Sequence, residues 1–343
     1  DFFGGLDDIN DGIIRHVDPE TFVEDPLRVY RAAQFAARFG FDVHHTTQKL
    51  AQTMHLGSLP KERVFEEFSK LLLRSSTPSI GLQALDDMGV LEKEFPEIAA
   101  LKGTKQRDDY HAEGDVFTHT KMVLDKAAAI KEDFSDEKDQ HVIMLSALLH
   151  DIGKPSTVDD TGGAHGHESA GVPIAESILN KLTDDKKIVN TVLPIVEHHL
   201  KPAQYPRQEV SDKAYRRLIN THGADFLHLL SAVSQADVTG RKHRLEDGSI
   251  IDPVHDNTFS ERVKQVSEAS GITPTQGGKL TPLISGTDLK NLGFQEGREL
   301  GDILRDVQGQ QVEGDLTHPE GALQYVRDKY KPTGGNPSNL EQL

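Results

Sequence analysis

The chain contains no cysteine and no tryptophan. Without thiols it can build neither a disulfide framework nor a thiolate metal site. It has no apolar run long enough to span a bilayer, and no secretory pattern opens it, so a cytoplasmic location is the default expectation and no membrane partner is expected. Positive charge is also short, with 38 Lys and Arg against 55 Asp and Glu and a formal net charge of −17. That balance argues against a protein that grips nucleic acid by charge alone, since neutralising phosphates takes Lys and Arg. Local basic patches are still allowed. Arg241-Lys242-His243-Arg244 and Lys213 through Arg217 are candidates, although such runs also form ordinary solvated faces. With 343 residues there is material for two or three domains and a substantial core.

The densest chemistry lies around Ala147-Leu148-Leu149-His150-Asp151-Ile152-Gly153-Lys154. Val142, Ile143, Leu145, Leu148 and Leu149 recur at helical spacing and carry the His150-Asp151 pair to a helix end. Gly153 is expected to supply the flexible residue that helices favour just past their last turn. An imidazole and a carboxylate are costly there unless something pairs with them. A divalent cation suits both, because neutral His and ionised Asp are ready ligands. Their company sharpens the expectation: His119 upstream, His165 and His167, His198-His199, then Asp237. Of the 17 histidines, 11 lie between His111 and Arg244, where an even spread would put about 7. Taken singly, any of them could equally be a surface or capping residue.

In their order these residues resemble the pattern of the HD phosphohydrolase superfamily: a His, a His-Asp, further His residues and a final Asp. The resemblance implies that His119, His150, Asp151 and Asp237 hold one metal, and that His167, His198 and His199 hold a second while Asp151 bridges. It makes Asp151, with His150, the catalytic centre. Lys154 is placed to touch a phosphate, although a Lys at a helix end also complements the helix dipole. Nitrogen and oxygen donors point to Mg²⁺, Mn²⁺, Fe, Co or Ni²⁺, with Zn²⁺ allowed. Such a pair would lower the pKa of a shared water and clamp a phosphate ester for in-line attack.

Upstream, Gly4-Gly5 followed by Ile13-Ile14-Arg15-His16-Val17 reads as a turn and a short strand. A lone strand leaves backbone groups unpaired, so partner strands, and therefore a missing N-terminal part, are expected before Asp1. Asp25 as cap, Pro26 in the first turn and Gly40 past the end delimit a helix. Asp25 and Arg28 are three apart and share a face, which a capping ion pair would explain. Chemically, the carboxylate accepts hydrogen bonds and the guanidinium only donates. Cytosine and adenine present an amine beside an unprotonated ring nitrogen, so the pair would select C and A over U and G.

Gly4-Gly5-Leu6-Asp7-Asp8 with Arg15 resembles the Gly-Gly motif of bacterial HD-containing CCA-adding tRNA nucleotidyltransferases, of the tRNA nucleotidyltransferase/poly(A) polymerase family. Glu24-Asp25-Pro26-Leu27-Arg28 resembles their nucleotide-selecting motif. The resemblance implies CTP and ATP as substrates of the intact enzyme, tRNA as partner, and a homodimer as an allowed state. It implies nucleotide contacts by Gly4, Gly5, Arg15, Asp25, Arg28 and Arg31, and RNA contacts by Arg38, Arg63 and Lys70. The last two could equally lie on a solvated helix face. The family's metal-binding aspartates precede the Gly-Gly motif, so residues 1–343 alone are expected not to polymerise.

The fold expected is mainly α: a remnant of an α/β nucleotidyltransferase head over 1–22, a helical neck and body over 23–103, an all-α HD domain over 110–245 and a helical tail over 250–343. Within the body, Val64 to Leu72 and Ile80 to Leu91 each read as one helix. Lys102 to Gly114 reads as a polar linker and Asp159 to Gly163 as a loop that returns His165 and His167 to the site. A polar connection over 268–279 precedes Gly286 to Gly301, which resembles the family's tRNA-packing tail, and 332–343 reads as a frayed end. Two other functions fit the same residues: a self-contained HD phosphohydrolase whose neck and tail only bind RNA, and a non-enzymatic tRNA-binding scaffold.

Overall fold

The computed structural model describes residues 1–57, 59–270 and 280–332. Of the polar connection expected over 268–279, residues 268 and 269 end a helix and 271–279 lie outside the described residues, as do 333–343 of the end expected over 332–343. The mainly α expectation holds, and among the described residues the strands are four two-residue pieces. The chain folds into two units, Asp1–Gln204 with Leu229–Asp256, and Tyr205–His228 with the residues from 257 onward.

The first unit opens with α1 (Gly5–Asp11), which stands between Gly4 and the expected strand. Strand β1 is only Ile13–Ile14. After α2 (Pro19–Glu24) comes α3 (Leu27–Phe39), then β2 (Asp42–Val43), which pairs parallel with β1 through Ile13↔Asp42 and Ile14↔Val43. The partner that β1 needs thus lies downstream. Helix α3 has Pro26 at its N-cap, with the expected cap Asp25 one residue earlier at the end of α2, and it stops where Gly40 turns left-handed, φ 68°, and donates its N–H to Ala36 O. Val29, Ala33, Ala36 and Ala37 bury one of its faces against α5 (Lys61–Leu73) and α6 (Pro78–Asp87), which follow α4 (His45–Thr53). The helix expected over 80–91 is broken after Asp87. Gly89 adopts φ 73°, and the chain continues as α7 (Val90–Glu94) and α8 (Pro96–Ala99).

The metal region is built on α9 (Val116–Ile130), α10 (Glu137–Leu149), α11 (His167–Leu182) and α12 (Lys186–His198). Asp115 caps α9, with one oxygen accepting the Thr118 N–H at 2.8 Å and the other the Gly103 N–H at 2.7 Å. Helix α10 is buried continuously from His141 to Leu149, so it is apolar all round and sits at the centre of the bundle. It packs on α9 and α12. Gly153 is not a left-handed helix terminator, since its φ is −83°. A Cβ there would lie 2.1 Å from His167 O and 2.6 Å from Gly171 N. Glycine is required because α11 comes this close, which brings His167 to Asp151.

After α13 (Lys201–Arg207), the second unit contains α14 (Asp212–His222). Helix α15 (Ala224–Thr239) then returns the chain to the first unit, where β3 (His243–Arg244) pairs antiparallel with β4 (Ile250–Ile251). The second unit resumes with α16 (Thr258–Ala269), α17 (Gly286–Asn291), α18 (Arg298–Glu313) and α19 (Pro319–Lys329). Helix α14 packs on α16 and α18, so residues expected in the metal region group with the tail. Ile284, Leu289, Phe294, Ile303, Val307, Ala322 and Val326 form the tail's own core.

Candidate metal centre

His119 on α9, His150 and Asp151 after α10, His167 at the start of α11, His199 after α12 and Asp237 on α15 converge and are all buried. The two oxygens of Asp151 face different partners. Oδ2 lies 3.1 Å from His150 Nε2 and 3.6 Å from His119 Nε2. Oδ1 lies 3.1 Å from His167 Nε2 and 3.7 Å from His199 Nε2. Asp237 Oδ1 adds 3.1 Å to His119 Nε2 and 3.9 Å to His150 Nε2.

The imidazoles are oriented from behind. Nδ1 of His150, His167 and His199 faces the backbone carbonyls of Ala147, Ala164 and Val196 at 2.9, 2.6 and 2.7 Å. A carbonyl only accepts, so each Nδ1 carries the proton and each Nε2 is left as a lone pair. The Nε2 atoms of His167 and His199 then confront one another at 3.3 Å, and that of His150 lies 3.3 Å from His119 Nε2. Two lone pairs facing at that distance repel, and either a proton or a metal ion among them removes the repulsion. Asp151 Oδ2, also buried, meets no donor at hydrogen-bonding angles, although the Lys154 ammonium is 2.6 Å away. The groups His119–His150–Asp151 and Asp151–His167–His199 are each compact enough to hold an ion, and outward-braced imidazoles with ionised carboxylates are what divalent metals take.

The electrostatics agree. Burial opposes the charge on Asp151, yet His150 and Lys154 hold its carboxyl well below the ordinary range. Burial likewise resists Asp237, and Arg241, paired to it, keeps it ionised. Burial disfavours protonated His150 and His167, but the Asp151 carboxylate outweighs it and raises both. This is a place where positive charge is favoured. Burial, with His150 nearby, pushes His199 down to about 3, leaving it a neutral imidazole.

His198 is not brought into the group. Successive helical residues point about 100° apart, and His199 takes the inward direction while His198 is half-buried elsewhere. His165 is exposed at the rim. The cluster opens to a cleft of about 450 Å³, lined also by Gln106, Arg107, Lys154 and Arg241. Lys154 donates to Gln106 Oε1 at 2.7 Å. Gly162, φ 82°, lets the 159–163 loop touch the backbone of Gln106, where a Cβ would stand 2.5 Å from its carbonyl carbon. The segment expected as a plain linker therefore supplies a wall of the cleft. It also carries Glu113, beside His119 and His111. Arg241, expected in a basic patch, is an internal partner of Asp237.

The residues expected to meet nucleotide and RNA have local partners. Asp25 Oδ1 accepts the Leu27 N–H at 3.1 Å, and Oδ2 lies 3.4 Å from Arg63. Arg28 donates to the Thr21 carbonyl. Gly4, φ 73°, precedes Gly5 at the start of α1, and Arg15 pairs with Asp8 at 2.9 Å. Arg31 lies over Phe35 and Arg38 over Phe39, and Lys70 pairs with Glu66 and Glu67.

Two family models match the chain: the HD domain over residues 116–241, and the probable RNA and SrmB-binding site of polymerase A over 40–102. The multifunctional CCA protein of Pasteurella multocida is 36% identical over 251 residues, which are 70% of this chain and 59% of that protein. The multifunctional CCA protein of Neisseria meningitidis is 37% identical over 205 residues, 58% of this chain and 47% of that one. The chain thus spans about six-tenths or less of the length of these relatives. Among solved structures, a CCA-adding enzyme with CTP superposes with a TM-score of 0.54 at 16% identity, covering 96% of this chain and 65% of that one. The Thermotoga maritima CCA-adding enzyme complexed with tRNA gives 0.52 at 15%, covering 96% and 67%. At such identities these two show the fold. Residues 116–241 thus carry an HD domain and residues 40–102 a polymerase-type RNA-binding region, and over 70% of its length the chain is similar to multifunctional CCA proteins.

Proposed function

We propose that this chain is the neck, body, HD domain and tail of a multifunctional CCA protein that acts on tRNA 3′ ends in the cytoplasm, and that its buried centre hydrolyses phosphate esters such as 2′,3′-cyclic nucleotides. One observation carries the hydrolytic reading: the single carboxylate of Asp151 offers one oxygen to His119 and His150 and the other to His167 and His199. His119, His150, Asp151 and Asp237 would hold one divalent ion, and His167, His199 and Asp151 a second. The abundance of imidazole favours Mn²⁺ or Ni²⁺ over Mg²⁺. Bound there, such ions would lower the pKa of a water and neutralise charge on the ester.

The protein's own groups do the rest. Lys154, anchored between Asp151 and Gln106, presents its ammonium to the cleft as a donor for a phosphate oxygen. Arg241 keeps Asp237 ionised and fixed, and Arg107, paired with Asp109, lines the rim of the cleft. The reading extends to tRNA, CTP and ATP as partners of the whole protein, with Asp25 and Arg28 selecting C and A. It is supported by their donor and acceptor chemistry and by the family's relatives.

The test is hydrolysis of 2′,3′-cyclic AMP by the purified chain, stripped of metal and reloaded with Mn²⁺ or Ni²⁺. Turnover that requires the metal and vanishes in Asp151→Asn, while the variant keeps its helical circular dichroism, is the expected result. A metal-loaded wild-type protein inert toward cyclic nucleotides and phosphomonoesters alike would overturn the reading.

A further inference from the structure

The imidazoles of the centre do not lean on equal supports. Three of them brace Nδ1 against backbone carbonyls that no substitution removes. His119 alone faces a side chain, its Nδ1 being 2.9 Å from Glu113 Oε1 in a contact bent off the ideal N–H direction. The same oxygen pairs with Nδ1 of His111 at 2.8 Å. The other, Oε2, accepts the Lys242 backbone N–H at 2.8 Å, and the Lys242 carbonyl accepts from Ala112 N–H, also at 2.8 Å. The Glu113 side chain is only 2% exposed. A carboxylate withdrawn from water to that extent is expensive unless its donors keep it charged. Burial works against the charge, but His111 and His119 hold the group below the ordinary carboxylate range.

We propose that Glu113 is a positioning residue of the metal centre, and that it sets the affinity of the His119–His150–Asp237 half while leaving the His167–His199 half indifferent to it. The inference rests on the metal-centre reading above. A carboxylate behind a ligating imidazole fixes the tautomer, directs Nε2 and makes it a stronger donor than a carbonyl does. Glu113 touches only His119 among the ligands, so its influence stays on one side of Asp151. His111 and the Lys242 amide are the clamp that holds the carboxylate in register. The trio His111–Glu113–His119 is itself compact enough to hold an ion, but its Oε2 is already taken by the Lys242 amide, and the Nδ1 of His119 points away from the other ligands.

Glu113→Gln is nearly isosteric and keeps one acceptor, but it places an NH₂ where three N–H groups converge, so in either orientation a donor faces a donor. The experiment titrates metal-stripped wild-type protein, Glu113→Gln and Glu113→Asp with Mn²⁺ alone, reading free Mn²⁺ by electron paramagnetic resonance, with metal-free melting curves alongside. In Glu113→Gln one class of ions should weaken by about 10–100-fold, the range for lost outer-shell partners, while the other class keeps its wild-type affinity. Glu113→Asp, which retains the charge, should recover part of the loss. Unchanged affinities in Glu113→Gln would overturn the proposal, as would equal weakening of both classes. Loss of a third ion that the wild type binds would also overturn it, making Glu113 a ligand. Wild-type protein that takes up no Mn²⁺ would defeat the metal-centre reading itself, whereas the other adverse outcomes defeat only the role of Glu113.

Discussion

The His150-Asp151 turn and the Asp25–Arg28 corner both set acidic beside basic groups at a helix boundary, yet they are built on opposite terms. At the first, every group is buried, and ring nitrogens face ring nitrogens at 3.3 Å. At the second, the Asp25 side chain is 33% exposed and its partner Arg63 52%, and Arg28 has the Thr21 carbonyl. Buried charges are stable only when well compensated, and the internal partners of the HD cluster leave lone pairs opposed. The cluster therefore favours positive charge at its centre and is compact enough to hold a cation. The corner is explained by the Leu27 N–H donating to Asp25 and by a surface ion pair, so its nucleotide chemistry rests on resemblance and on hydrogen-bond logic. Two motifs of similar clarity in sequence thus differ in how far their surroundings commit them to a ligand.

The sharpest way to break that contrast is at α12. His199→Ala should lower metal content by one ion per chain, and it leaves the Val196 carbonyl without its partner at a cost of about 1–3 kcal/mol in stability. His198→Ala, one residue away and outside the group, should keep the wild-type metal content. Elemental analysis of both after loading with Mn²⁺ decides it. Retained metal in His199→Ala together with loss in His198→Ala would mean that the helix presents the other histidine.

What can be read from the sequence follows physical rules. The helices are legible where one face is apolar at helical spacing, as in α5, or where Pro and Gly bracket the span, as around α3. The break after Asp87 is not, because the apolar pattern continues across it and only Gly89, at φ 73°, marks the turn. The ligand-like set is legible because His and Asp at apolar helix ends are costly without a partner. Choosing between His198 and His199 takes the phase of α12, which sequence spacing leaves open by one residue. Glu113 and Gln106 escape because a polar, Gly-containing segment reads as linker. A His-x-Glu just before a capping Asp115 is the available signal. Gly153 matters for a different reason than its place after a helix suggests: its freedom of φ is unused, and its missing Cβ is what counts.

A smaller effect tests whether the packing of α11 holds the cluster together. Gly153→Ala would force a Cβ to within 2.1 Å of His167 O, so either the HD turn or α11 must move. Overpacking of this kind costs about 1–3 kcal/mol. Because His167 sits at the contact, the variant should lose affinity for the ion shared with His199 more than its melting temperature suggests. Metal titration beside a thermal melt separates the two. A variant with wild-type metal binding would show that the cluster tolerates a shifted α11.

The smallest effect belongs to the exposed corner. Asp25→Ala removes the acceptor for the Leu27 N–H at the start of α3, a hydrogen bond worth about 1 kcal/mol. It also frees Arg63, whose 3.4 Å pairing with a part-exposed carboxylate adds about 0–1 kcal/mol. For a unit of this size that amounts to a fall of roughly 2–4 °C in melting temperature per kcal/mol lost. Metal content and hydrolysis of cyclic nucleotide should stay at wild-type values, since nothing in the corner touches the centre. Differential scanning calorimetry with elemental analysis on the same sample measures both. A variant with reduced metal would dissolve the contrast between the two regions. A variant that melts with the wild type would show that Asp25 contributes nothing to the start of α3, leaving its carboxylate free for the exocyclic amine of a cytosine or adenine.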